Sequence, residues 1–449
     1  MSFFERIFNR SKVVIELDDI QSIILRSRPI PYFGTIAALK VTSVKQGRAL
    51  LKEILPMVTS SLNWHKETEA SVSITITYEG LKALGVPQES LDSFPPAFRE
   101  GMAARKDKLR DYGSNDPQNW EKLFGTNQIH VAAAVIADSE EKWRRAFREL
   151  EEILGRTGGS EVLFKHDFSA TEEVKNVFGF RDGISNPEVE GSGVEMPPGY
   201  DRPIKTGEFI LGYAGESGVV QPFPQPEILG KNGSFMFVRK YQSHVAEFNK
   251  FIKDNSDSPE SGELLAAKMI GRWRSGAPLV LSPEQDDEKL GADAARNNNF
   301  SYKSDEYGKK CPFGSHIRRL NPRDSKDFIL ADVRLHRIIR KPLAFGSIVP
   351  PEVIEDDGQE RGQFFVGISA KAMDTLEFLQ AQWMNDGNFA NLGEEKDPMV
   401  GLNEGEGLFT VPQEPLRKRY HGLQTFNTLE GGEYCFIPSI SALKWISDL

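Results

Sequence analysis

The stretch IHVAAAVIADSEEKWRRAFRELEEILG, residues 129–155, decides the fold. Its first part, 129–137, is a nearly unbroken apolar run of strand length, and Asp138 with Glu141 has the spacing of a capping box. Trp143, Phe147, Leu150 and Leu154 then recur on one helical face, and Gly155 is the expected stop. Upstream the same order occurs once already. The run 35–42 reads as a strand, and 44–57 reads as a helix with Leu50, Leu51, Ile54 and Leu55 on its apolar side. Val72, Ile74, Ile76 and Tyr78 then alternate with Ser73, Thr75 and Thr77, the period of a half-buried strand. Strand–helix–strand, repeated twice, predicts a ferredoxin-like unit: an antiparallel sheet with helices packed on one face.

Beyond a Pro/Gly-rich stretch from Pro187 to Gly207 the rhythm resumes. Strands are expected at 209–213, 235–241, 364–368 and 433–437, and helices at 245–252 and 264–270. Another helix carries Ala372, Leu376, Leu379 and Trp383 and ends at Gly387. A chain of 449 residues exceeds what one core usually supports. The expected class is therefore α+β with two ferredoxin-like halves, residues 1–190 and 205–449. The polar, Asp- and Asn-rich segment 285–309 lacks periodicity and reads as a long surface loop.

A net charge of −10 and a pI near 5.4 argue against a nucleic-acid footprint. Cys311 and Cys435 are too few for a disulfide framework, which favours a reducing, cytoplasmic setting. The opening MSFFERIFNRSKVVIELDD breaks its apolar runs with charges, so neither a secretory core nor a membrane span is expected there. Oligomeric state stays open at this level.

Seven histidines are present: His65, His130, His166, His244, His316, His336 and His421. None has zinc-ligand spacing to a cysteine or a second histidine. His316 differs in its surroundings, CPFGSHIRRLNPR, where Arg318, Arg319 and Arg323 follow within seven residues. One imidazole beside several guanidinium groups suits haem, which needs an axial nitrogen and cations for two propionates. A second segment, Gly179-Phe180-Arg181-Asp182-Gly183, continues through Ile184, Ser185 and Asn186, and its glycines permit a close backbone approach to a flat ligand. A third, Arg337-Ile338-Ile339-Arg340 running on to Gly346, places two arginines on opposite faces if it is a strand. Taken singly, each also reads as an ordinary turn or a charged surface.

Together and in this order the three segments resemble the motifs of the dye-decolourising peroxidases. GFRDG is similar to that family's GxxDG motif, CPFGSHIRRLNPR to the stretch with its proximal histidine, and RIIRKPLAFG to the stretch with its distal arginine. GRWRSGAPL at 271–279 and LEFLQAQW at 376–383 extend the likeness nearly end to end, closest to the larger members with long insertions. The resemblance implies one haem b per chain, held mainly by the C-terminal half, with His316 as axial iron ligand. It implies Asp182 as distal acid/base and Arg340 as distal cation, with Arg337 as competitor. Arg318, Arg319, Arg323, Ile184 and Asn186 are the expected cofactor contacts. Glu377 is expected to accept the other ring N–H of His316, with Asp374 as its rival. Phe345 stands where many members have a tyrosine, which puts the usual electron route in doubt; Tyr420, Tyr434, Trp383 and Trp445 are candidate substitutes, but each reads better as an ordinary exposed or core aromatic.

The implied reaction reduces hydrogen peroxide and oxidises phenolic or dye-like donors in one-electron steps. An aspartate proton carrier suits acidic pH, since model aspartates titrate near ~3.9. A haem carrier or sensor, a haem-deferrating protein and a cofactor-free interaction module are the competing readings.

Overall fold

Alternation along the strands builds the first half. A computed structural model describes residues 14–64, 68–170, 174–194, 202–324 and 332–449. The opening segment up to residue 13 and His65 lie outside them. Strand β1 (Tyr32–Val41), helix α1 (Val44–Ile54), β2 (Ser71–Ile76), β3 (Val131–Ala137), α2 (Glu140–Thr157) and β4 (Ser160–Ala170) follow in sequence. The sheet order is β4-β1-β3-β2, all antiparallel, as expected of a ferredoxin-like unit. On β3, Val131, Ala133, Val135 and Ala137 are buried in one cluster with Leu50, Leu51 and Ile54 of α1 and Trp143, Leu150 and Leu154 of α2. Ala132, Ala134 and Ile136 face the other way and are only half-buried.

Two details of α2 differ from expectation. Ser139, not Asp138, caps it, its hydroxyl accepting from Lys142 N. Gly155 lies inside the helix, which stops at Gly158, where φ is +67°. A mid-helix glycine costs only about 1 kcal/mol, so the buried Ile153 and Leu154 carry the helix past it.

The second half repeats the plan. Its strands are β5 (Ser234–Ser243), β6 (Ile339–Arg340), β7 (Leu343–Phe345), β8 (Gly362–Ser369), a separate hairpin of β9 (Gly407–Val411) and β10 (Lys418–Leu423), and β11 (Asn427–Ile437). Their order, β11-β5-β8-β6, matches that of the first half. Helices α3 (Val245–Asp254), α4 (Pro259–Ile270) and α5 (His316–Leu320) fill the insertion between β5 and β6, while α6 (Ala372–Phe378) and α7 (Ile440–Asp448) follow β8 and β11.

The run 209–213 is not a strand. Phe209, Ile210 and Leu211 are buried, but Gly212 at φ +88° turns the chain, and Phe209 O accepts from Ser234 Oγ. A short apolar run fills a core equally well without pairing. Segment 285–309 is largely exposed, as expected of a surface excursion, but it is not without structure. It holds a short helix, Glu288–Ala292, and a 3-10 turn, Tyr302–Asp305, with Leu290, Tyr302 and Asp305 buried.

The halves join edge to edge where Phe436 of β11 pairs with Ile76 of β2. At the far edges Phe164 and His166 of β4 meet Phe345 and Phe364 of β7 and β8 with ring centroids 4.9–6.0 Å apart. The sheet thus curls round a lumen lined by residues of both halves.

Glu433 of β11 lines that lumen, and burial pushes its carboxyl up to about 7. Between about pH 4.5 and 7 the folded chain therefore holds a proton that the unfolded chain has released. Stability falls as pH rises through this window and stays lower above it. Glu433→Gln keeps an acceptor for Gly125 N and removes the ionisation. The expected result is a gain of ~1–3 kcal/mol at pH 8 and little change at pH 4.5, read as Tm by calorimetry. Equal gains at both pH values would contradict the assignment.

Candidate active site

Strand β8 divides its side chains between two chambers. Phe364 and Val366 face the lumen, whereas Gln363 and Phe365 point outward and, with Tyr241 of β5, line a cleft of about 1350 Å³. Helix α5 forms one wall. His316 begins it, and His316, Ile317 and Leu320 line the cleft. Pro322 keeps the helix short. His316 Nδ1 lies 3.0 and 3.2 Å from the two carboxylate oxygens of the buried Asp397. Asp397 Oδ1 also accepts from the backbone N–H of Met399 and Val400 at 2.9 and 3.0 Å. Burial raises the Asp397 carboxyl, but His316, Arg319 and the backbone donor outweigh it and hold the group below the ordinary carboxylate range. An ionised Asp397 fixes the ring proton on Nδ1 and leaves the Nε2 lone pair for a metal.

Across the cleft stands the Gly179–Gly183 turn. Gly179 and Gly183 take φ of +84° and +78°, which is why this turn uses glycine at both positions. Asp182 Oδ1 accepts from Gly183 N at 2.6 Å and lies 3.8 Å from Arg340 Nη1. Arg340 Nη2 donates to Ser185 Oγ at 3.0 Å. Asn186 clamps the arginine's backbone from both sides: Arg340 N donates to its Oδ1 at 2.9 Å, and its Nδ2 donates to Arg340 O at 3.1 Å.

Arg337 lines the same cleft and donates to Ser185 O at 3.2 Å. The expectation of opposite faces fails because β6 begins only at Ile339, so strand alternation does not reach Arg337. A second, outer cleft reaches Asp182 and Arg340 past Pro187, Glu188 and Val194, giving a small polar molecule a way in.

A family model described as the DyP dimeric alpha+beta barrel domain matches residues 33–164. The dye-decolorizing peroxidase msp1 of Mycetinis scorodonius is 30% identical over 97% of this chain and 88% of its own length. The chain belongs to the dye-decolourising peroxidase family. It is a peroxidase, and the family's members are haem enzymes. The crystal structure of a fungal DyP-type peroxidase from Auricularia auricula-judae superposes with a TM-score of 0.83 at 27% identity, covering 97% of this chain and 100% of that one. A dye-decolorizing peroxidase solved in complex with 2,6-dimethoxyphenol gives the same TM-score, identity and coverage.

The cleft fits the flat, dianionic cofactor of a dye-decolourising peroxidase. Ile317, Leu320, Ile338, Phe365, Leu379, Met384 and Val400 supply apolar walls, and His316 supplies one nitrogen. Leu379–Met384 forms a π-helical turn after α6, and both its ends line the cleft. Arg181, Arg272, Arg337 and Arg340 are the lining cations. Arg272 is buried, and burial together with Arg323 and Arg340 pushes its guanidinium down to about 9. Its hydrogen bonds go to two backbone carbonyls and Asn298 Oδ1, so an anion there is favoured. Asn321 Oδ1 is buried in the lining without a partner among the described residues.

Several expected contacts lie elsewhere. The carboxylate on His316 is Asp397, not Glu377 or Asp374. Glu377 is taken by Arg105 at 2.5 and 2.7 Å, and Asp374 is not among the cleft-lining residues. Arg318, Arg319 and Arg323 do not line the cleft either. On α5, Arg318 and Arg319 fall behind the face that carries His316, Ile317 and Leu320, and Arg323 lies beyond the end of the helix. Arg318 pairs with Asp305 at 2.9 Å, Arg319 donates to Glu395 O, and Arg323 donates to Asn298 and Phe300. The segment 285–309 thus occupies two of the arginines that its neighbour offered for propionates. Ile184 does line the cleft, while Asn186 acts through Arg340.

Among the aromatics, Phe345 sits in the barrel seam, and Trp383 is buried against Phe378 and Phe389. Tyr434 is buried beside Glu377, whereas Tyr420 and Trp445 are partly exposed. Asp397, Ser185 and Arg272 were not foreseen. Asp397 lies 81 residues from His316 in an acidic run, EEKD, that carries no local sign of its role.

Proposed function

We propose that the cleft holds one haem b per chain and that the protein reduces hydrogen peroxide while oxidising phenolic or dye-like donors by one-electron steps, with an acidic optimum. The observation that carries this is the pairing of Asp182 with Arg340 at 3.8 Å in the cleft that also contains the His316–Asp397 couple. A haem carrier has no need of that pair. Haem, when bound through His316, supplies the redox capacity of its iron.

The chain's own groups do the rest. Asp182 Oδ1 is engaged by Gly183 N, whereas Oδ2 has no partner among the described residues. Oδ2 is thus the atom that takes a proton from one peroxide oxygen and returns it to the other, so that water leaves. Arg340, fixed at its backbone by Asn186 and at its side chain by Ser185, holds the negative charge that develops on the departing oxygen. Arg272 and Arg337 face the propionates, in place of Arg318, Arg319 and Arg323.

The phenolic donor class rests on the related peroxidase solved with 2,6-dimethoxyphenol. Residues 1–190 supply Asp182, and residues 205–449 supply His316 and Arg340. A cytoplasmic setting accords with Cys311 and Cys435, both buried and unbridged. No helix among the described residues is long and apolar enough to cross a membrane.

The test is a stopped-flow spectrum of the haem-reconstituted protein with one equivalent of peroxide, followed by 2,6-dimethoxyphenol. Rapid Soret conversion and its return with donor are expected. A Soret band indifferent to peroxide would overturn the proposal.

A further inference from the structure

The barrel lumen is a second chamber, separate from the haem cleft. It is lined by strands of both halves. Protein interiors rarely leave voids larger than a water molecule, and unfilled cavities are destabilising. The space here follows from the residues pointing inward. Ala38, Ser71, Ser73, Thr75, Ala132 and Ala134 are small where three strands, β1, β2 and β3, face the lumen. Opposite and between them stand Phe124, Phe164, Phe168 and Phe364, so the chamber has the apolar, aromatic character of a ligand pocket.

One part of the wall is cationic. Arg28 and Lys341 border both the lumen and the outer cleft beside Asp182. Arg28 Nη2 donates to Pro342 O at 2.5 Å and the group stacks over Tyr32, but its Nη1 is buried with no hydrogen-bond partner among the described residues. Lys341 Nζ donates to Arg26 O. No carboxylate among the described residues forms an ion pair with either. Burial and Arg28 push the Lys341 ammonium down to about 7, as befits a cation without a counter-ion. Glu433, the one acid among the lining residues, accepts from Gly125 N instead.

We propose that the lumen binds one molecule of an apolar carboxylic acid per chain, its tail among the phenylalanines and its carboxylate on Arg28 and Lys341. The planar fork of a guanidinium matches a carboxylate, and the charge-assisted bond gains strength in so dry a place. A neutral tail alone leaves the two cations uncompensated, which makes the acid the better ligand than its alcohol.

The haem-loaded protein is titrated with decanoate and, separately, decanol, by calorimetry, while the Soret band is followed. Expected are saturable binding of one decanoate per chain, an affinity at least tenfold above that for decanol, and an unchanged Soret band. Ala134→Phe, which fills the lumen, and Arg28→Leu are each expected to weaken decanoate at least tenfold. Should Ala134→Phe fail to fold, Ala132→Leu makes the same test. Absence of saturable binding, equal affinity for decanol, or binding indifferent to the lumen-filling variant would overturn the proposal. So would a Soret shift on titration, since it would place the acid in the haem cleft.

Discussion

Asp182→Asn is expected to keep haem bound and to lower the rate of peroxide turnover by ~10²–10⁴, the range over which a positioned proton carrier contributes. The two side chains are nearly the same shape, and Asn Oδ1 still accepts from Gly183 N, so the turn is preserved. What disappears is the oxygen that takes and returns the proton. The ferric Soret band should match that of the unmodified protein, and stopped-flow mixing should show the slow step moved to peroxide activation. If the variant retained its rate, proton transfer would have to run through another group, and the roles given to both Asp182 and Arg340 would fall together.

Asp397→Asn addresses the His316 wall of the cleft. The carboxylate that holds the Nδ1 proton of His316 also accepts from Met399 N and Val400 N, and a carboxamide oxygen preserves part of that set. The negative charge behind the imidazole is lost, so Nε2 becomes a weaker donor. Partners of this kind typically cost 10–100-fold in metal affinity or activity when changed. The expected result is a loss of that size, accompanied by an upward shift of the ferric/ferrous midpoint potential in spectroelectrochemistry. Glu377→Gln, its carboxylate already engaged by Arg105, is expected to leave the potential where it was. A potential that moved with Glu377 and not with Asp397 would reverse the assignment.

How much of this was legible in the sequence depended on whether the determinant was local. Strand period and helix period are local, so both ferredoxin-like halves could be read from runs such as 72–76 and 143–154 in the first and 364–368 in the second. His316, Asp182 and Arg340 sat in recognisable segments. Asp397 could not be found in this way, because its role is created by a contact across 81 residues. The arginines after His316 were misread for a related reason. Composition shows that cations are near in sequence, but a helix only five residues long turns Arg318 and Arg319 away from the face that matters. Segment 285–309 looked solvated by composition, yet Asp305 and Asn298 are buried partners of Arg318 and Arg323.

The alternation of β8 has a further consequence. Odd positions, Gln363 and Phe365, belong to the redox chamber, and even positions, Phe364 and Val366, belong to the barrel interior. A substitution on this strand therefore changes one chamber and spares the other, so the two can be tuned independently from a single stretch of chain. An inserted or deleted residue has the opposite effect. It reverses the parity, sends every side chain beyond it into the wrong compartment, and would disable both chambers at once.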